Sequence, residues 1–75
     1  MYFKTIFGQR VKEARIANHE TQQDLADFLG AAKNSISEIE NGKRTTTAEK
    51  IALICEHYHI SSDYLLGLSD DPQPR

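Results

Sequence analysis

Two glycines twelve positions apart set the tightest limit on this chain, because Gly30 and Gly42 each close an apolar pattern only about two turns long. Helices that short are marginal in water on their own, since nucleation costs more than their few hydrogen bonds return. They persist only by packing an apolar face against neighbours, which points to a helical bundle. The first pattern opens at Thr21, a good N-cap, and Asp24 three residues later can reach back in a capping-box arrangement. Leu25, Ala26 and Leu29 form its apolar face and Gly30 stops it, so a helix is expected over 22–29. After Gly30-Ala31-Ala32 the second helix runs to about Glu40, before the strong stop signal Asn41-Gly42. Ile36 and Ile39 point inward, whereas Lys33, Asn34, Ser37, Glu38 and Asn41 fall on the opposite face. Ala32 at the N-cap costs this helix about 1 kcal/mol against serine or threonine.

The flanking segments complete the bundle. Phe3, Phe7, Val11 and Ala14 recur at three- and four-residue steps, one stripe of a helix over about 4–18. Gly8 weakens that helix by about 1 kcal/mol relative to alanine. Thr46 with Glu49 forms another capping-box pattern, opening a helix over about 47–58 with Ile51, Ile54, Cys55 and Tyr58 on its apolar side. Ser61 caps a last short helix, 62–66, whose Tyr64, Leu65 and Leu66 close the core before Gly67. No repeat is present, and no alternating pattern is long enough for a sheet. The expected fold is all-α, a compact five-helix bundle over 1–68, followed by a polar, flexible tail at 69–75.

Two short helices joined by a glycine-containing turn are the physical shape of a helix-turn-helix. The second helix of such a pair can enter a major groove about 12 Å wide and present its outer face to base edges. Periodicity alone stops there, because a solvated helix face has the same pattern. Charge gives no support of its own: the net charge is −2, against the basic excess usual in nucleic-acid binders. Residues 51–75 carry one basic and four acidic side chains, a balance of −3, while residues 1–50 carry eight basic and seven acidic ones, or +1. The acid is concentrated in the C-terminal part, which leaves the first half free to meet a polyanion.

Other functions are hard to build from these residues. A 75-residue chain buries only roughly 60% of its unfolded surface, so a deep catalytic cavity would compete with the core for side chains. Lone Cys55 excludes an internal disulfide and suits a reducing cytosol. Apolar runs are too short to span a membrane, and Met1-Tyr2-Phe3-Lys4 is too short and mixed for a signal peptide. Cys55, His57 and His59 invite a metal reading, but His57 points almost opposite to the other two on a helix, and zinc needs three or four converging ligands. Glu38 and Glu40 lie on different sides of their helix and make no general acid–base pair. No glycine-rich phosphate loop is present. The expectation is a cytoplasmic protein with no metal, cofactor, small-molecule substrate or enzymatic activity.

Thr21-Gln22-Gln23-Asp24-Leu25-Ala26, then Gly30, then Ser35-Ile36-Ser37-Glu38-Ile39-Glu40-Asn41-Gly42-Lys43-Arg44 resembles the phage-repressor, Cro/C1-type helix-turn-helix family. Ile60-Ser61-Ser62-Asp63-Tyr64-Leu65-Leu66-Gly67 is similar to that family's fifth helix, so the resemblance runs from about Phe7 to Gly67. It implies a transcriptional regulator, most simply a repressor, binding an inverted-repeat operator in double-stranded DNA as a homodimer. It also implies that Gln22, with Gln23 beside it, holds a DNA phosphate at the start of the second helix, where unpaired N–H groups favour an anion. Ala32, Lys33, Asn34 and Glu38 match base-facing positions, with Ser37 on the same face. Asn41, Lys43 and Arg44 match a turn used on the DNA backbone. Arg15 and Glu40 match a buried ion pair between the first and third helices.

Chemistry then assigns roles. Lys33 can donate to guanine O6 or N7, Asn34 can pair with adenine N6 and N7, and Ala32 offers a methyl to thymine or no contact. Glu38 either accepts from cytosine N4 or repels phosphate and orients Asn34 or Lys33; the orienting role is slightly favoured. A dimer surface is expected around the fifth helix, at Leu65, Leu66 or Leu68. The alternative is a protein-binding module, an anti-repressor or antitoxin-like partner, that keeps the fold without reading DNA; the negative charge and Glu38 favour it.

Overall fold

The longest helix, α1 (Phe3–Ala17), lays Phe7 and Val11 into the core, with Phe3 and Ala14 half-buried on the same stripe. The structure, a computed structural model, describes residues 3–73; Met1 and Tyr2, and Pro74 and Arg75 of the expected tail, lie outside the described residues. Four further helices follow: α2 (Gln22–Leu29), α3 (Lys33–Glu40), α4 (Ala48–Tyr58) and α5 (Ser62–Leu65). Among the described residues there is no strand. Helix α3 packs on α1 and α2, and α5 packs on α1 and α4. Leu25, Ala26, Leu29, Ile36, Ile39, Ile54, Tyr58 and Leu65 complete one continuous core.

Helix α2 begins and ends as its residues dictate. The Thr21 hydroxyl accepts from the Asp24 N–H at 3.0 Å, and the Asp24 carboxylate accepts from the Thr21 N–H at 2.8 Å. The Thr21 N–H first, and then the Thr21 hydroxyl beside the carboxylate, hold the Asp24 carboxyl below the usual aspartate range. Gly30 is left-handed (φ 66°), a conformation costly for residues with a Cβ. The Ala31 N–H then returns to the Ala26 carbonyl at 2.9 Å.

Three expectations need correction. Thr47, not Thr46, caps α4: its hydroxyl accepts from the Lys50 N–H at 3.2 Å and its backbone is extended, so the helix starts one residue later and Glu49 lies in its first turn. In a run of three threonines the pattern cannot tell which one turns its hydroxyl back. Helix α5 ends at Leu65 rather than Leu66, which serves as its C-cap. Leu65 is 0% exposed and is therefore unavailable to any partner; Leu66 is half-buried, and Leu68 is 70% exposed.

Gly8 has a different role from the one its helix propensity suggests. A Cβ at position 8 would collide with the Ile39 carbonyl oxygen and crowd the backbone carbons of Ile39 and Glu40. Glycine lets the backbones of α1 and α3 touch. The C-terminal segment also meets the bundle, because Arg10 donates to the carbonyls of Tyr64 and Ser69 and to the Asp70 carboxylate. The Arg10 guanidinium lies 4.2 Å from the Tyr64 ring centroid, and the Ser61 N–H donates to the Pro72 carbonyl at 2.9 Å.

Candidate nucleic-acid interface

Helix α3 divides sharply into two sides. Ile36, Ile39 and Glu40 are buried, whereas Lys33, Asn34 and Glu38 are exposed, with Ala32 exposed at the N-cap and Ser37 half-buried between the sides. Asn34 and Glu38 are four residues apart and share one outward strip. Lys33 and Asn34 thus stand exposed at the start of the helix.

The inner side is anchored by an ion pair. Arg15 meets Glu40 through two parallel bonds, Nε to Oε2 at 2.7 Å and Nη2 to Oε1 at 3.0 Å. Its remaining Nη1 donates to the Glu20 carbonyl at 2.7 Å. Both residues are 9% exposed, and the bond to Glu40 raises the Arg15 pKa against the opposing effect of burial. Such a fork-on-fork contact fixes direction as well as distance, so the pair sets the rotation of α3 about its axis and hence which side chains point out.

Four of the five residues assigned to phosphate have side-chain partners within the protein. Gln22, half-buried, donates from Nε2 to Glu40 Oε1 at 3.1 Å, which ties the start of α2 to the buried pair. Gln23 donates to Asp27 at 2.8 Å along the α2 surface. Asn41 reaches Ser37 Oγ at 3.4 Å, and Lys43 is exposed. Glu38 pairs with Arg44, Oε1 to Nη1 at 3.2 Å, and not with Lys33 or Asn34. The orienting role expected for Glu38 is therefore directed at a different cation. Its cause is the Asn41-Gly42 reversal, where left-handed Gly42 (φ 76°) and the bond from the Lys43 N–H to the Glu38 carbonyl bring the chain back beside α3. Arg44 also borders an open groove of about 290 Å³ between α3 and the start of α4, lined by Ser35, Thr46, Thr47 and Lys50 among others.

Residues 8–70 match a family model described as a helix-turn-helix domain. The chain belongs to the Cro/C1-type helix-turn-helix family. Among its relatives is the uncharacterized HTH-type transcriptional regulator YobD of Bacillus subtilis (strain 168), 34% identical over 70 residues, which are 93% of this chain and 62% of that protein. Antitoxin PezA of Streptococcus pneumoniae serotype 4 is 31% identical over 62 residues, 83% of this chain and 39% of that protein. The chain therefore spans less than two thirds of the length of either relative. Among solved structures, the restriction-modification controller protein C.AhdI from Aeromonas hydrophila superposes with a TM-score of 0.73 at 27% identity, covering 83% of this chain and 94% of that one. By their names YobD is a transcriptional regulator and PezA an antitoxin.

Within this helix-turn-helix protein, one polar cluster had no counterpart in the sequence analysis. Glu20, in the turn between α1 and α2, accepts from the Tyr58 hydroxyl and lies against His57 Nε2, each at 2.8 Å. His57 stacks on Phe28 with ring centroids 4.0 Å apart. Burial first, and then the Glu20 carboxylate, push the Tyr58 phenol well above its ordinary pKa, so it stays a donor. Three residues on two elements far apart in sequence left no local signal for this contact. His57 faces Glu20, while Cys55 and His59 line a separate shallow groove with Glu56 and Ile60. Among the described residues no three His, Cys, Asp or Glu side chains gather as a metal site, and no helix is long and apolar enough to cross a membrane.

Proposed function

We propose that this protein binds double-stranded DNA in a sequence-specific manner and regulates transcription as a cytoplasmic repressor. The observation that carries the reading is the division of α3, with its inner side locked by Ile36, Ile39 and the Arg15–Glu40 pair and its outer side polar and exposed. A rigid helix held from behind can present donors and acceptors to base edges without ordering anything at the moment of contact. In this reading Lys33, Asn34, Ser37 and Glu38 meet bases, and Ala32 contacts a thymine methyl or nothing. Gln22, Gln23, Asn41, Lys43 and Arg44 hold phosphates, Gln22 after exchanging Glu40 for the DNA. One module of this size covers few base pairs, so the reading includes a homodimer on an inverted repeat, its half-sites about 34–36 Å apart. Of the three leucines expected there, exposed Leu68 and half-buried Leu66 remain to build its interface.

Selection of duplexes from a random pool tests this directly. The expected result is a palindromic site whose affinity falls steeply with salt. Lys33→Ala and Asn34→Ala should relax base preference at separate positions, each by about 1–3 kcal/mol of discrimination. Lys43→Ala should weaken all duplexes nearly alike. Unchanged preferences in the first two variants would remove those residues from readout. The second reading, a protein-binding module of the anti-repressor or antitoxin kind, is favoured by the net charge of −2 and by the relative named as an antitoxin. It prevails if no duplex from the pool or from the protein's own promoter region binds at low salt.

A further inference from the structure

We propose that Glu38 is an intramolecular competitor for Arg44, so that the base beneath position 38 decides whether Arg44 reaches the DNA backbone. The inference rests on the DNA-binding reading and assigns one specificity device within it. Glu38 Oε1 lies 3.2 Å from Arg44 Nη1, and among the described residues each is the other's sole side-chain partner. The Glu38 side chain is 49% exposed and that of Arg44 53%, so water reaches both and the pair is weakly held. A pair in that state can exchange partners.

The contact is not needed to form the turn. Backbone bonds from the Gly42 N–H to the Ile39 carbonyl (3.1 Å) and from the Lys43 N–H to the Glu38 carbonyl (2.9 Å) already close it. What the side-chain pair does is place a carboxylate from the base-facing strip onto a cation suited to phosphate. A guanidinium facing that carboxylate is partly neutralised toward a polyanion. When α3 enters a major groove, the carboxylate meets acceptors at guanine O6 and N7 or thymine O4, and it gains nothing by leaving Arg44. Over cytosine it meets an amino donor with no acceptor on the same base edge, whereas adenine sets its N6 amino donor beside the N7 acceptor, which repels a carboxylate. Glu38 then turns to the base, and the freed Arg44 turns to phosphate. One base pair is thereby read twice, by a hydrogen bond and by the release of an ion pair.

The full chain, E38Q, R44A and the double variant test the mechanism, with duplex affinity measured by fluorescence anisotropy across a range of salt. Wild-type selection should give a cytosine in each half-site at a position whose preference E38Q abolishes. On duplexes lacking that cytosine, E38Q should bind about tenfold tighter than wild type at low salt, the scale of one charge-assisted hydrogen bond from the freed Arg44 to phosphate. Its salt slope should be steeper by about 0.9, the value for one added phosphate contact. R44A should erase that gain in the E38Q background, while changing wild-type binding to the same duplexes by less than about twofold, a strongly non-additive cycle. On the cytosine-containing duplex, R44A should by itself reduce both affinity and slope. Additive effects on every duplex, or no cytosine preference lost in E38Q, would overturn the competition while leaving DNA binding intact. Failure of the wild-type chain to bind any duplex at low salt would overturn both.

Discussion

Helices α2 and α3 are each eight residues long, yet they are held in opposite ways. Helix α2 is closed by its own sequence, with a reciprocal Thr21–Asp24 capping box at one end and left-handed Gly30 at the other. Helix α3 starts at Ala32, which has no side-chain oxygen to cap its first turn, and ends without a basic residue in its last turn. It is held from behind instead, by Ile36, Ile39, the Arg15–Glu40 pair and the backbone contact at Gly8. The difference teaches how a short helix can be both rigid and available. Tertiary anchoring leaves the N-terminal turn and the outer face of α3 uncommitted, whereas local capping would fill part of that surface with the helix's own partners.

The largest effect should come from breaking the anchor. Arg15→Ala leaves Glu40 buried without its cation and should cost about 3–5 kcal/mol in chemical denaturation. A loss below about 1 kcal/mol would mean that α3 is held by its apolar contacts alone. Next, Gly8→Ala should cost about 1–3 kcal/mol although it raises helix propensity, because α3 must be pushed off α1. Stabilisation by this substitution would show that the seam between α1 and α3 can open freely.

The cap substitutions sharpen the contrast with opposite signs. Thr21→Ala should destabilise by about 1 kcal/mol, and Ala32→Ser should stabilise by a comparable amount. If the uncapped start is kept for DNA, the second change should raise the thermal midpoint and weaken duplex binding together. The smallest effect is a pH dependence at Asp24. Its carboxyl is held below the ordinary value by the Thr21 N–H, so its stabilising contribution is complete above the unfolded aspartate pKa and is lost as pH falls through the lower folded value. Thermal midpoints below about pH 4 should fall less in Asp24→Asn than in the parent chain. Identical acid profiles would remove the capping box from the acid response.

Much of the candidate interface was legible because it is local. The strip of Lys33, Asn34 and Glu38 follows from the period of a helix whose ends are marked, and the exposure of all three agrees with that pattern. The partners of these residues were not legible. Glu38 was expected to orient Asn34 or Lys33 and instead holds Arg44, because the reversal at Gly42 sets the return path of the chain. Gln22 rests on Glu40 by virtue of how α2 crosses α3, a relation no spacing of eighteen residues encodes. Thr46 and Thr47 show the same limit on a smaller scale, since adjacent identical side chains compete for one cap.

The sequence by itself determined the number of helices, nearly all their ends and the division of α3 into an apolar and a polar side. Those properties depend on residues within one turn of each other, whose hydrogen bonds and periodicity are the same wherever the segment lies. Only the tertiary structure decided why Gly8 is glycine, how Glu20 joins His57 and Tyr58, how Arg10 draws in the segment after α5, and which cation Glu38 holds. Each of these depends on the approach of distant parts of the chain. That approach is set by the shape of the packed core, which every helix helps to define and no single stretch contains.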